Sequence, residues 1–153
     1  MKVDILAIGA HPDDVELGCG GTIAKLISEG KKVAIIDLTE GELGTRGTNE
    51  TRAQEAATAS EILGISAREN LKMKDGFIIN SQEYQFRIIE MIRKYQPEIV
   101  LCNAIDDRHP DHAKAAKLVS DACFLSGLVK IKTDYEGESQ KFWRPKQVFH
   151  YIQ

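Results

Sequence analysis

Several things are scarce or missing in this 153-residue sequence, and each absence excludes a class of protein. Cysteine is limited to Cys19, Cys102 and Cys123, an odd number with no Cys-x-x-Cys spacing. Neither a disulfide framework nor a zinc knuckle can be built from them, and each reads as a small buried hydrophobe. Positive charge is not in excess: 20 Lys and Arg against 23 Asp and Glu leave a net charge of −3. Without a basic field the chain is not expected to bind nucleic acid or an anionic membrane, and a small molecule is the expected partner. There is no run of about eighteen apolar residues, which excludes a membrane-spanning helix. The amino terminus has Asp4 inside its short apolar run and no small-residue cleavage site, so the cytoplasm is the expected location. No composition shift, internal repeat or low-complexity tract divides the sequence, and residues 1–153 are expected to form one domain.

What is present alternates. Residues 3–9 read as a buried strand, followed by a helix over 20–29 in which Ile23, Leu26 and Ile27 share a face and Gly30 is the stop. Val33-Ala34-Ile35-Ile36 marks a second strand, and the loop 40–47 carries Gly41, Gly44 and Gly47. Asn49 or Thr51 is placed to cap a helix whose Ala53, Ala56, Ala57, Ser60 and Leu63 form a narrow stripe suited to close packing on a sheet. A weak strand at 69–73 precedes an amphipathic helix with Phe86, Ile89, Met91 and Ile92, which must end near Gln96 because Pro97 follows. A strand at 98–102 leads to a helix carrying Ala115, Ala116, Val119, Ala122 and Cys123 toward Gly127. Residues 130–143 read as loop and 148–152 as a last strand. The pattern is α/β: a Rossmann-like, mostly parallel sheet with helices on both faces and ligands beyond the carboxyl ends of its strands.

Two strand ends open into clusters of metal-binding residue types. The first is Ala10-His11-Pro12-Asp13-Asp14-Val15-Glu16, after the apolar run 5–9; the second is His109-Pro110-Asp111-His112, after 99–102. A catalytic zinc takes three nitrogen or carboxylate ligands and leaves a position for water. Asp13 and Asp14 are neighbours whose side chains diverge, so one can bind metal while the other accepts a proton. Pro110 suits a first helical position, which puts His112 in the first turn, on the face of Ala115, Ala116 and Val119. His112 is therefore the better ligand candidate, with His109 nearer the mouth.

At these residues the sequence resembles the PIG-L/LmbE-like zinc-dependent N-deacetylases, which act on N-acetylglucosamine conjugates. The resemblance implies one zinc per chain on His11, Asp14 and His112, with Asp13 as general base. His109 would stabilise the oxyanion or protonate the leaving amine, steadied by Asp111. It also implies a homo-oligomer, trimeric or hexameric. The stretch from Thr39 through Arg46, Arg52 and Glu55 is similar to the family's substrate-side loop. On a protein of net negative charge, Arg46 and Arg52 are expected to hold an acidic group of the substrate. The ending, Phe142–Lys146 and Phe149–Gln153, is similar to the branch that deacetylates N-acetylglucosaminyl-L-malate in bacillithiol biosynthesis. A chitooligosaccharide is the alternative substrate. Relatives normally run further, so this LmbE-like domain is expected to lack the family's C-terminal segment.

Other readings weigh less. A lone histidine or aspartate here would be a structural residue or a cap. Asp106 and Asp107 read as solvated loop carboxylates, His150 as a strand residue, and Arg52 with Glu55 as a surface pair. A two-metal phosphoesterase would need more ligands than the sequence offers. A non-catalytic nucleotide-binding domain is suggested by Gly18-Cys19-Gly20-Gly21, but Ile23 occupies the third glycine position of the dinucleotide fingerprint and Asp13 and Asp14 would repel a pyrophosphate.

Overall fold

The computed structural model describes residues 1–152; Gln153, the last residue of the expected domain, lies outside them. Strand β1 (Ile5–Gly9) is buried along its whole length, as is β2 (Val33–Thr39), which is what continuous apolar runs produce when both faces of a sheet are covered. With β3 (Ala67–Met73), β4 (Ile99–Cys102) and β7 (Gln147–His150) they form a five-stranded sheet in the order β3-β2-β1-β4-β7. Every neighbouring pair in it is parallel. The strand order reverses at β1 and β4, so the exits of these two strands flank the crevice where such sheets bind ligands.

Helices α1 (Asp14–Ser28) and α2 (Asn49–Leu63) lie on one face, α3 (Gln82–Tyr95) and α4 (Pro110–Leu125) on the other. The α3/α4 face holds the larger core. Leu6, Ile8, Ile36 and Val100 meet Ile88, Ile89 and Ile92 of α3 and Leu118 and Val119 of α4, all fully buried. Truncating one of these isoleucines to alanine would cost roughly 2–5 kcal/mol in lost transfer energy and cavity. The opposite face is thinner: Ile5, Ala7, Val33 and Ile35 meet Val15 and Ile23 of α1.

Three local expectations are corrected. Helix α1 begins at Asp14 rather than near residue 20, because Gly18 to Gly21 are helical, with a break at Cys19 (φ −148°, ψ 16°). The reason lies at the other end of the chain: a Cβ on Gly18 would sit 2.3 Å from the Tyr151 ring, so the glycine lets α1 pack against the exit of β7. The alanine stripe of α2 does not dock on the sheet. Only Ala56 is buried, while Ala53 and Ala57 are exposed, since alanines offer too little area to draw a helix inward. Instead the Arg68 guanidinium ties α2 down, donating to the Ala56 carbonyl at 3.1 Å and bidentately to Asp37 of β2. Thr48, not Asn49 or Thr51, caps the helix, and Thr51 completes a reciprocal capping box.

The stretch read as a loop contains a small hairpin, β5 (Asp134–Tyr135) with β6 (Glu138–Ser139). Arg93 of α3 anchors the neighbouring segment: 3% exposed, it donates to the carbonyls of Ser126, Leu128 and Ile131 and to the Thr133 hydroxyl. The three cysteines are free, Cys102 and Cys123 buried and Cys19 half-buried; burial pushes the Cys19 and Cys123 thiols up to about 12. Among the described residues no helix is long and apolar enough to cross a membrane.

Candidate active site

The exits of β1 and β4 face each other across a cavity of about 900 Å³. His11 follows β1, and Asp14 opens α1; both are buried, at 8% and 3% exposure. From the other side His109 caps α4 ahead of Pro110, and His112 in the first turn is 8% exposed. The ring nitrogens of His11, His109 and His112 come within 4.8 Å of one another. The two clusters, far apart in sequence, thus meet in one place.

His11 and His112 each have carboxylates beside both ring nitrogens. His11 directs Nε2 at Asp75 Oδ1, 3.0 Å away, and Nδ1 toward Asp14 Oδ2 at 3.5 Å. His112 has Nδ1 3.3 Å from Asp107 Oδ1 and Nε2 3.3 Å from Asp14 Oδ1. A neutral imidazole binds a metal through the nitrogen that carries no proton and turns the other, protonated one to a carboxylate or carbonyl. The second nitrogen of His11 and that of His112 both face Asp14, one at each of its oxygens. This donor set suits a dication with nitrogen and carboxylate preferences.

The electrostatics agree. Burial works against charge on His11, but Asp14, Asp75 and Asp111 around it raise its pKa to about 9. His112 is raised in the same way, by Asp14 and Asp107 against its burial. Burial also opposes the Asp14 charge, yet hydrogen bonds from His11, His112 and Asn103 hold it well below the usual carboxylate range. A cluster of carboxylates that keeps imidazoles protonated is a site with a standing demand for a cation, and a metal ion and protons compete for it.

Asp13 differs from Asp14. Its side chain is 52% exposed and lines the cavity, and it forms an ion pair with Arg52 at 3.4 Å. Although it precedes α1, its carboxylate makes no capping bond. Burial raises its pKa, partly opposed by Arg52. His109 Nδ1 accepts the Asp111 amide at 3.2 Å, which leaves Nε2 as the proton-bearing nitrogen of the neutral ring. The Asp111 carboxylate turns elsewhere. Fully buried, it accepts the amides of Gly76 (2.6 Å) and Ile78 (3.3 Å) and lies 3.5 Å from His11 Nε2.

The glycine loop 40–47 forms one wall. A Cβ on Gly41, whose φ is +65°, would meet the Arg52 guanidinium at 2.8 Å, and one on Gly44 would meet Arg52 Nη1 at 2.8 Å. The loop therefore wraps Arg52 and seats it against Asp13, so Arg52 is not engaged in a surface pair with Glu55. Arg46 is exposed and is not among the cavity-lining residues, whereas Arg108, to which the sequence pointed no role, lines the mouth.

Three further residues escaped the sequence reading. Asp75 leaves β3, the strand read as weak, and is held by the Leu43 amide at 2.8 Å. Asp107, read as a solvated loop carboxylate, is half-buried beside His112 and accepts the His109 amide at 2.8 Å. Asn103, at the end of β4, donates to Asp14. The available signal was position alone: each stands just past the carboxyl end of a parallel strand.

With this geometry in view, the relationships of the chain are informative. It is 34% identical over 134 residues to the diacetylchitobiose deacetylase of Thermococcus kodakarensis, covering 81% of this chain and 50% of that protein. It is 27% identical to a 1D-myo-inositol 2-acetamido-2-deoxy-alpha-D-glucopyranoside deacetylase of Kineococcus radiotolerans, covering 80% of this chain and 45% of that one. Its fold superposes on the crystal structure of the conserved protein TT1542 from Thermus thermophilus with a TM-score of 0.91 and 40% identity, covering 99% of this chain and 66% of that one. The chain thus spans about half the length of these curated relatives. The family model described as PIG-L, GlcNAc-PI de-N-acetylase, matches residues 6–123, a stretch that contains both His/Asp clusters and, apart from Ile5, every strand of the sheet except β7, and the chain belongs to that family.

Proposed function

We propose that this chain is a metal-dependent hydrolase that removes the acetyl group from an N-acetylglucosamine conjugate, using one zinc held by His11, Asp14 and His112. The observation that carries the reading is that His11 Nδ1 and His112 Nε2 lie 3.5 and 3.3 Å from the two oxygens of Asp14, with Asp75 and Asp107 beside the other nitrogens. His109 lies as close, but its Nδ1 is taken by the Asp111 amide and it brings no charge, so we assign it to the substrate.

Zinc bound there would supply Lewis acidity and lower the pKa of water. The protein's own residues do the rest. Asp13, exposed to the cavity and held by Arg52, takes the proton from the attacking water. His109 Nε2 donates to the acetyl oxygen as charge develops, or to the leaving amine. Pro110 and the α4 N-terminus fix the ring by giving its Nδ1 a backbone partner.

Within the class, our preferred substrate is N-acetylglucosaminyl-L-malate, with a chitooligosaccharide as the competing one; the cavity has cationic groups in Arg52 and Arg108 for an acidic aglycone. A cytoplasmic homo-oligomer, trimeric or hexameric, belongs to the same proposal. The test is release of free amine by the zinc-loaded protein from a panel comprising diacetylchitobiose, N-acetylglucosaminyl-malate and N-acetylglucosaminyl-inositol. Release from at least one is expected, fastest from the malate conjugate. A stoichiometric zinc protein that releases amine from none overturns the reading.

A further inference from the structure

Asn103 is fully buried where β4 ends, between the two clusters. Its amide serves two partners at once: Oδ1 accepts the Ala10 N–H and Nδ2 donates to Asp14 Oδ2, both at 2.9 Å. The same Asp14 oxygen accepts the His11 amide at 3.0 Å and lies 3.5 Å from His11 Nδ1, so two hydrogen bonds already occupy it, while Asp14 Oδ1 is turned to His112 Nε2. We infer that Asn103 is a positioning residue that selects which oxygen of Asp14 meets the metal: by holding Oδ2 it presents Oδ1 and keeps Asp14 a one-oxygen ligand. The inference rests on the metal reading above.

The chemistry requires an amide of this length. Aspartate would satisfy Ala10 but has no N–H for Asp14 and would repel it; leucine fills the space and satisfies neither. A carboxylate limited to one oxygen keeps the coordination number low and a position open for water. The strand order supplies the means. Ala10 leaves β1 between β2 and β4; Thr39 of β2 holds its carbonyl through N–H (3.0 Å) and Oγ1 (2.9 Å), and Asn103 of β4 holds its amide. Of these two residues Asn103 is the one that reaches on to Asp14, so Thr39, whose Oγ1 also accepts the Gly41 amide at 3.2 Å, provides a control that loosens the same turn without touching the ligand.

The test uses the full chain, stripped of metal and then titrated with Zn2+ against a chromogenic chelator and with Co2+ in the visible. Asn103→Ala should bind Zn2+ about 10–100-fold more weakly than wild type, and its Co2+ bands should weaken and shift as Asp14 becomes free to offer both oxygens. Thr39→Val should match wild type in both. Wild-type affinity and spectrum in a folded Asn103→Ala protein would overturn the inference. So would an equal loss in Thr39→Val, which would assign the effect to the Ala10 turn. If Asn103→Ala does not fold, Asn103→Ser, which keeps a polar atom but cannot span both partners, is judged by the same two outcomes. A wild-type protein that takes up neither ion overturns the metal reading itself, a failure distinct from the other two.

Discussion

The floor and the rim of the cavity are built on opposite rules. On the floor Asp14, Asp75 and Asp111 are buried, and each carboxylate accepts hydrogen bonds from at least one other element: Asp14 from Asn103, Asp75 from Leu43, Asp111 from Gly76 and Ile78. On the rim Asp13 is half exposed and paired with Arg52, Arg108 is exposed, and His109 is held through a single ring nitrogen. The floor spends its polar groups on one another and gains a fixed geometry; the rim leaves groups uncommitted for a substrate. Buried charge is tolerated only when paired and bonded, so a site that must both fix an ion and do proton chemistry divides the two tasks between its layers.

The comparison breaks most sharply on the ligands. His11→Ala, Asp14→Ala and His112→Ala should each bind no stoichiometric zinc by elemental analysis and fall to background turnover, since two remaining donors hold the ion too weakly. Asp13→Asn should keep its zinc and lose turnover by a factor of roughly 10² to 10⁴. If instead Asp13→Asn lost the metal and Asp14→Asn kept it, the two layers would be reversed.

Next in size is His109→Ala, which should also retain zinc while kcat falls and KM changes little; zinc–nitrogen coordination of His109 at about 2.0–2.1 Å would move it to the floor. Stability separates the layers as well. Asp111→Ala leaves the Gly76 and Ile78 amides without their acceptor and should lower unfolding free energy by about 1–3 kcal/mol, measured by urea denaturation of the apo protein, whereas Asp13→Ala should leave the midpoint nearly unchanged. Smallest is the pair of arginines: Arg108→Ala should raise KM for an acidic conjugate several-fold more than for a neutral one, and Arg46→Ala should alter neither. A selective effect of Arg46→Ala would bring the glycine loop closer to the substrate than the cavity lining suggests.

Residues inside the two His/Asp motifs were legible in the sequence, on floor and rim alike, and those outside them were not. Asp13 and His109 are flagged by the residues beside them, and Pro110 at a helix start announces both the cap and the inward face of His112. Asp75 and Asn103 carry no such mark, because an isolated aspartate after a weak strand, or an asparagine after a short one, is the commonest kind of turn residue. Asp107 was misread for the same reason. The glycines of α1 mislead in the other direction: they suggest a phosphate loop, yet Gly18 meets the Tyr151 ring and Gly20 and Gly21 face open space.

The sequence by itself determined the parallel α/β architecture, through apolar runs that only a two-sided sheet can bury, and the chemical character of the site, through two His/Asp clusters placed where such strands end. Tertiary structure decided which atom of each residue does what. Asp75, just past β3, stands 3.0 Å from Nε2 of His11, and Asn103, just past β4, holds Oδ2 of Asp14. Those partners lie distant in the chain and become neighbours only when β1 is flanked by its strands, because hydrogen bonds are read over about three ångströms of space and not along the sequence.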